Sequence, residues 1–336
     1  MPFIDEILKY KSISFVGLEK NTGKTETLNY VLSRLCSNSN ITLGVTSIGI
    51  DGEKIDQVTK TSKPEIQIYP NTIFVTSELL YSQKKIISNI LSLSNRSTAL
   101  GRLVTAQAIS DGKVLLAGAS STTWLKDVIT NMQERGANIV LIDGALSRLS
   151  FGSPAITDAM ILSTGAALSI NLRTLVRKTT FIYKMTQLEQ ISKSLISKLS
   201  EIDNGIYAID KKNNLKDLNI PSILMIEKYK DILFQYGTKL FVSGIITDNL
   251  IQFLKAQKNI QDIEIIIKDF TRIFCSIENL EAYFKKGGNL KVIHPTNLIA
   301  LTVNPTSPSG YNLNSKELIK ELQKEIPLPI YNIKEI

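Results

Sequence analysis

The chain of 336 residues has little of several residue types that carry chemistry: two cysteines, one histidine and one tryptophan. Cys36 and Cys275 lie far apart and outside any CxxC or histidine-spaced pattern, which argues against structural zinc and a disulfide framework. They read as buried small apolar residues. With His294 the single histidine, placed before Pro295 at the end of an apolar run, any mechanism needing two histidines is excluded. Long apolar runs are also missing: none approaches the roughly 18 residues of a membrane span. Asp5 and Glu6 interrupt the first apolar segment, against a secretory signal. The expectation is a cytoplasmic protein without a membrane partner.

There is no dense basic block either. The formal net charge is +8, but the lysines come as scattered pairs, Lys84-Lys85, Lys211-Lys212 and Lys285-Lys286, without interleaved aromatics. Single-strand binders combine a basic groove with stacking aromatics, so no specific nucleic-acid partner is expected. The surplus reads as solvated helix faces.

What is present is an alternation of short apolar strands and amphipathic helices. Ser12 to Val16 is a buried strand; Leu28, Val31, Leu32 and Leu35 then recur at helical spacing. Further strands are expected at Thr42–Ile48, Thr72–Thr76, Lys113–Ala117, Asn138–Ile142 and Ala159–Leu162, with a helix over Thr123–Arg135 that makes Trp124 a core residue. This order predicts an α/β fold with a mostly parallel sheet of the P-loop NTPase type. From Asn171 to about Leu199 the helical pattern runs on without proline or glycine, predicting a central long helix. Strands at Lys239–Ile246, Asp262–Ile267, Leu290–Ile293 and Leu298–Val303 follow, with helices at Asn249–Lys258 and Ile277–Lys286. The expected organisation is a nucleotide-binding domain over 1–170, a helical connector over 171–235 and a smaller α/β portion over 236–336 packed on the first.

Between the first strand and the first long helix stands GLEKNTGKT, Gly17 to Thr25. A phosphate cradle needs converging backbone N–H groups, a helix N-terminus, a cation for the β/γ charge and a hydroxyl for Mg²⁺. Gly17 and Gly23 permit the backbone, Asn21 and Thr22 complete the loop, Lys24 supplies the cation and Thr25 the hydroxyl; the bland alternative is a glycine turn with a helix cap. Lys20 adds a second positive charge. Asp143, at the end of an apolar strand, is the Walker B candidate for Mg²⁺, and Asp51 and Glu53 form a second acidic cluster after the second strand. Asp-Gly also marks ordinary turns. Asn304, in NPTSPSG, offers a donor and an acceptor to a purine edge, although Asn-Pro and Ser-Gly equally signal a turn. No NKxD motif argues for guanine, which favours ATP.

The loop holds five residues between its glycines, one more than GxxxxGK(S/T), and in that length it resembles dethiobiotin synthetase-like proteins, as does the weak dipeptide Lys63-Pro64. Lys20 resembles the extra lysine of the deviant P-loop ATPases, but stands four residues before Lys24 rather than five. A narrower resemblance spans nearly the whole chain. GLEKNTGKTETLNYVL (17–32), IGIDGEKID (48–56), LIDGALSRLSFGSP (141–154), TDAMILSTGA (157–166) and TVNPTSPSGY (302–311) resemble the P-loop subunit of lysine 5,6-aminomutase reactivases. That resemblance implies an ATP-binding subunit that, with a MutS-like ATPase partner, opens a stalled cobalamin-dependent aminomutase and releases its damaged cobalamin. The other reading is an ATP-dependent ligase or phosphotransferase of the dethiobiotin synthetase type.

Overall fold

A computed structural model of the chain describes residues 3–49, 65–145, 156–220 and 222–336. In chain order the strands are β1 (Ser12–Gly17), β2 (Leu43–Ser47), β3 (Ile66–Ile68), β4 (Ile73–Ser77), β5 (Ser88–Thr98), β6 (Gly101–Ala108), β7 (Gly112–Val114), β8 (Ile139–Ala145) and β9 (Ala159–Gly165). Then come β10 (Ile206–Ile209), β11 (Leu215–Asp217), β12 (Lys239–Val242), β13 (Ile246–Thr247), β14 (Glu264–Ile267), β15 (Ile273–Phe274), β16 (Asn289–Val292), β17 (Leu298–Asn304) and β18 (Ile330–Asn332). The helices are α1 (Ile4–Ile7), α2 (Lys24–Leu35), α3 (Glu78–Gln83), α4 (Thr122–Glu134), α5 (Leu172–Thr186), α6 (Lys193–Ser200), α7 (Asp248–Lys255), α8 (Ile277–Lys285) and α9 (Ser315–Gln323).

The described residues form two compact units. The first comprises the residues up to Ala145, Ile156–Thr180 and Asn297–Ile336; the second spans Phe181–Thr296. The division falls inside α5 and not at 170, and the chain returns to the first unit at Asn297, so that 236–336 does not stay together. The reason is β17: LIALTVN is buried over its first six residues and pairs in parallel with β9, deep in the first unit's sheet.

That sheet has the order β18-β17-β9-β1-β8-β2-β4-β6-β5. Seven strands from β18 to β4 run parallel; β6 and β5 add an antiparallel edge. Every residue of β1 and of β9 is buried, as strands covered on both faces require. Alternation along each strand divides the core. Ile13, Phe15, Val45 and Leu141 pack with Leu28, Val31, Leu32 and Leu35 of α2 on one face. Val140, Ile142, Ile73 and Val75 pack with Leu125, Val128, Ile129 and Met132 of α4 on the other, where Trp124 is a core residue. Ser121 caps α4 by accepting the Trp124 amide at 3.3 Å.

Two expectations give way, and one hairpin was not expected. Lys113–Ala117 is not a strand of the large sheet: β7 stops at Val114 and pairs with β3, while the Thr76 hydroxyl donates to Leu115 O (2.9 Å) and accepts the Ala117 amide (3.3 Å), taking the place of a ladder. The hairpin β5–β6 has weak alternation and had no sequence signal strong enough to announce it. The long helix expected over 171–199 is broken into α5 and α6, because residues 189–191 pair with β16: Val292 N donates to Glu189 O and Ile191 N to Val292 O, after which Ser192 takes an extended conformation and starts α6.

In the second unit β12, β14 and β16 are parallel, and β10 and β11 extend the sheet antiparallel, in the order β11-β10-β12-β14-β16. Ile191, Leu195, Leu199, Phe241, Ile266 and Ile293 form part of its core. Among the described residues of the chain, no helix is long and apolar enough to cross a membrane.

Candidate functional site

In a parallel sheet with helices on both faces, ligands gather outside the carboxyl ends of the strands. Four adjacent strands of the first unit, β17, β9, β1 and β8, bring there most of the chemistry marked out above. β1 delivers Gly17, β8 delivers Asp143, β9 ends in Ser163-Thr164-Gly165 and β17 ends in Asn304. Phe15 stands level with Asp143, Gly17 with Ser163 and Gly165 with Asn304.

The loop between β1 and α2 is tied down by its own carbonyls. Leu18 N donates to Ser163 O at 2.9 Å, which fixes the exit from the strand. Thr22, fully buried, turns its hydroxyl to Glu19 O at 2.8 Å. Asn21 has φ 63° and Gly23 φ 89°, both left-handed. Asn tolerates that region better than most residues; Gly23, at the N-cap of α2, adopts it without a Cβ penalty. A Cβ on Gly23 would also stand 3.1 Å from Asn304 Cβ.

Lys24 is the first residue of α2 and Thr25 the second, so both belong to the turn whose amides lack intrahelical acceptors. The Lys24 ammonium stands 2.8 Å from Asp143 Oδ1, with about four fifths of each side chain buried. It is an ion pair without hydrogen-bond geometry: among the described residues no hydrogen bond reaches the buried Oδ1. Lys20 lies on the exposed part of the loop, where its amide donates to the Glu19 carboxylate at 3.0 Å. Asn304 reaches the loop, its Nδ2 donating to Asn21 O at 2.9 Å while Oδ1 accepts the Thr306 amide at 3.2 Å. It also borders a shallow recess with Gly23, Glu26 and Lys334.

Gly17, Asn21, Thr22, Gly23, Lys24, Thr25, Asp143 and Asn304 are therefore gathered at one sheet edge. Asp51, Glu53 and Lys63-Pro64 lie outside the described residues. Neither a protein-family model, nor a curated protein, nor a solved structure matches the chain. What the site can do must be argued from its own atoms.

For a magnesium ion the fit is favourable. Mg²⁺ keeps several waters and takes one or two carboxylates together with substrate phosphates. Among the described residues no cluster of three or more metal-ligating side chains exists, so an all-protein cage is not on offer there. Asp143 Oδ1, buried and without a hydrogen bond, is an acceptor with capacity to spare for a cation.

Sequence reading missed the hydroxyls behind the loop. Ser163 and Thr302 share a hydrogen bond of 2.8 Å, Thr302 and Thr27 one of 2.9 Å, and Thr27 donates to Gly23 O at 3.0 Å. All three residues are buried. The available signal was polarity inside the otherwise apolar runs AMILSTG and LIALTVN, since buried hydroxyls must find partners. His294 is half-buried just beyond β16 of the second unit, before β17 begins at Leu298. Both cysteines are half-buried thiols; burial, then the negative charge of Asp248, pushes Cys275 up to about 12, far from a reactive thiolate.

Proposed function

We propose that the chain binds ATP with Mg²⁺ at Gly17–Thr25, on a fold of the P-loop NTPase type. The observation that carries this reading is the Lys24–Asp143 pair at the junction of strand, left-handed loop and helix. A buried-side cation at a helix N-terminus attracts an anion, and a carboxylate beside it attracts the counter-ion that such an anion brings. With ATP bound, Lys24 neutralises the β/γ charge, the first-turn amides of α2 receive phosphate oxygens, and the Thr25 hydroxyl with Asp143 holds Mg²⁺. The metal supplies charge neutralisation across the phosphates; Asp51 and Glu53 are further candidates for its environment. Lys24 must then exchange its carboxylate partner for the phosphates.

We further propose that this nucleotide site serves the ATP-binding subunit of a reactivating factor, which releases damaged cobalamin from a lysine 5,6-aminomutase-type enzyme in company with a MutS-like ATPase. This reading rests on the sequence phrases that carry the resemblance; three of them, Asp143-Gly144-Ala145, Ser163–Ala166 and Asn304-Pro305, fall at the carboxyl ends of β8, β9 and β17, where any nucleotide role would need them. Nucleotide state does such work by binding open and closed aminomutase with different affinity. The second reading, a dethiobiotin synthetase-like ligase or phosphotransferase, is favoured by the five residues between Gly17 and Gly23.

Calorimetry with ATP, with and without Mg²⁺, tests the site, and recovery of an inactivated aminomutase by the chain plus its MutS-like partner tests the role. Absence of ATP binding sinks both. ATP binding without recovery, but with turnover that depends on a small carboxylic or amine acceptor, moves the function to the ligase.

A further inference from the structure

Asn304 offered itself in the sequence as a reader of the base, yet each end of its amide already makes a hydrogen bond within the protein. We propose instead that Asn304 is a positioning residue, the clamp by which β17 sets the backbone of the phosphate loop; this rests on reading Gly17–Thr25 as the nucleotide site. Its own place in space is fixed from β9. Asn304 O accepts the Ala166 amide at 2.9 Å, and a Cβ on Gly165 would lie 2.1 Å from that oxygen, so the close approach of the two strand ends requires glycine there. From this anchored backbone Nδ2 reaches Asn21 O, across 283 residues of sequence.

In a trans peptide the carbonyl and the following N–H point in opposite directions. Holding Asn21 O towards β17 therefore aims the Thr22 amide away from it. The neighbouring carbonyls are held as well: Glu19 O by the Thr22 hydroxyl, and Gly23 O by Thr27, which Thr302 of β17 steadies in turn. β17 thus governs two loop carbonyls, Asn21 directly and Gly23 through Thr27. Amides that face an anion only because their carbonyls are held behind need no reorganisation when the anion arrives. Asn21 stands in the left-handed region, which Asn tolerates, and the hydrogen bond from Asn304 holds its carbonyl in the orientation that this conformation gives it.

The decisive comparison uses a probe without a base. For N304A, calorimetry gives the loss of affinity for Mg·ATP and for inorganic tripolyphosphate, and amide hydrogen exchange over residues 18–25 is followed in the ligand-free protein. A clamp predicts that both ligands weaken by the same factor, roughly three- to tenfold for one lost hydrogen bond, and that exchange in the loop accelerates with an unchanged unfolding midpoint. N304D, which keeps the acceptor for Thr306 but removes the donor, should accelerate exchange equally. Weakened ATP with unchanged tripolyphosphate, or unchanged loop exchange, overturns the proposal in favour of base reading. Wild-type protein that binds neither probe sinks the nucleotide reading, and the exchange measurement then decides the clamp by itself.

Discussion

The two units each set a carboxylate at the N-terminal turn of a helix, Asp143 beside α2 and Asp248 in α7, and they use it in opposite ways. In the second unit Asp248, first residue of α7, accepts the Ser276 amide at 2.9 Å, the Ser276 hydroxyl at 3.1 Å and Asn279 Nδ2 at 2.8 Å, all on Oδ1. Burial pushes its carboxyl up, but the donors from Asn279 and Ser276 outweigh this and hold it below the ordinary value. Asp269 likewise accepts the Thr271 amide at 2.9 Å and the Thr271 hydroxyl. In the first unit Asp143 Oδ1 receives no hydrogen bond from the described residues and faces the Lys24 ammonium. A carboxylate surrounded by neutral donors ties two segments together; one left opposite a cation can exchange that cation for a ligand. The same residue type, within strand β8 in one unit and at the start of α7 in the other, is thus held ready in the first and does structural work in the second.

The comparison breaks most readily at Lys24. Lys24→Ala removes the cation from the loop and leaves Asp143 without its counter-charge, so ATP affinity should fall by roughly 100-fold or more, read by calorimetry. Because about four fifths of each side chain is buried and Asp143 is left unpaired, the accompanying loss of stability should lie between the exposed and the fully buried case, about 1–3 kcal/mol. Retained ATP affinity would place the nucleotide elsewhere. Asp143→Asn keeps the shape and removes the charge; ATP affinity in the absence of magnesium should hold or rise, while the gain on adding magnesium shrinks by roughly tenfold. A magnesium effect of wild-type size would take Asp143 out of the metal site.

Much of this site was legible because its physics is local. Gly17, Gly23, Lys24 and Thr25 act within nine residues of chain, and the strand before them and helix after them show in the burial of Ser12–Gly17 and of Leu28, Val31, Leu32 and Leu35. Asp143 was legible as an acid closing an apolar run. Asn304 was picked out as a polar group for the base, but its contact with the loop and the hydroxyls of Ser163 and Thr302 were not legible, because these hydrogen bonds join residues 139 to 283 positions apart and leave no periodic trace. The same limit explains the broken helix: the run 171–199 has helical spacing throughout, and only the pairing of 189–191 with β16 interrupts it. Likewise Leu298–Val303 was read as a strand, but its neighbour β9 is set by topology and not by composition.

A smaller effect is expected at Asp248. Asp248→Ala should lower the stability of the second unit by about 1–2 kcal/mol, since hydrogen bonds to a charged but partly solvated acceptor are lost. Chemical unfolding followed by hydrogen exchange in α7 and α8 would show it. ATP affinity should stay at the wild-type value, in contrast to Lys24→Ala; a shared loss would mean that the two units do not keep separate roles.

The smallest effect is the pH dependence of that same cap. A carboxyl held below its unfolded value, which is ~3.9 for Asp, contributes stability that is fully present above the unfolded value and lost as pH falls through the folded one. The difference in unfolding midpoint between wild type and Asp248→Asn should therefore be constant from about pH 7 to 5 and close below about pH 4, where a protonated Asp248 offers Ser276 and Asn279 no more than a neutral amide does. A gap that persisted unchanged to lower pH would mean that charge contributes nothing to the cap. The geometry around Oδ1 alone would then account for it, and the contrast with the cation-facing Asp143 would be one of partners rather than of charge.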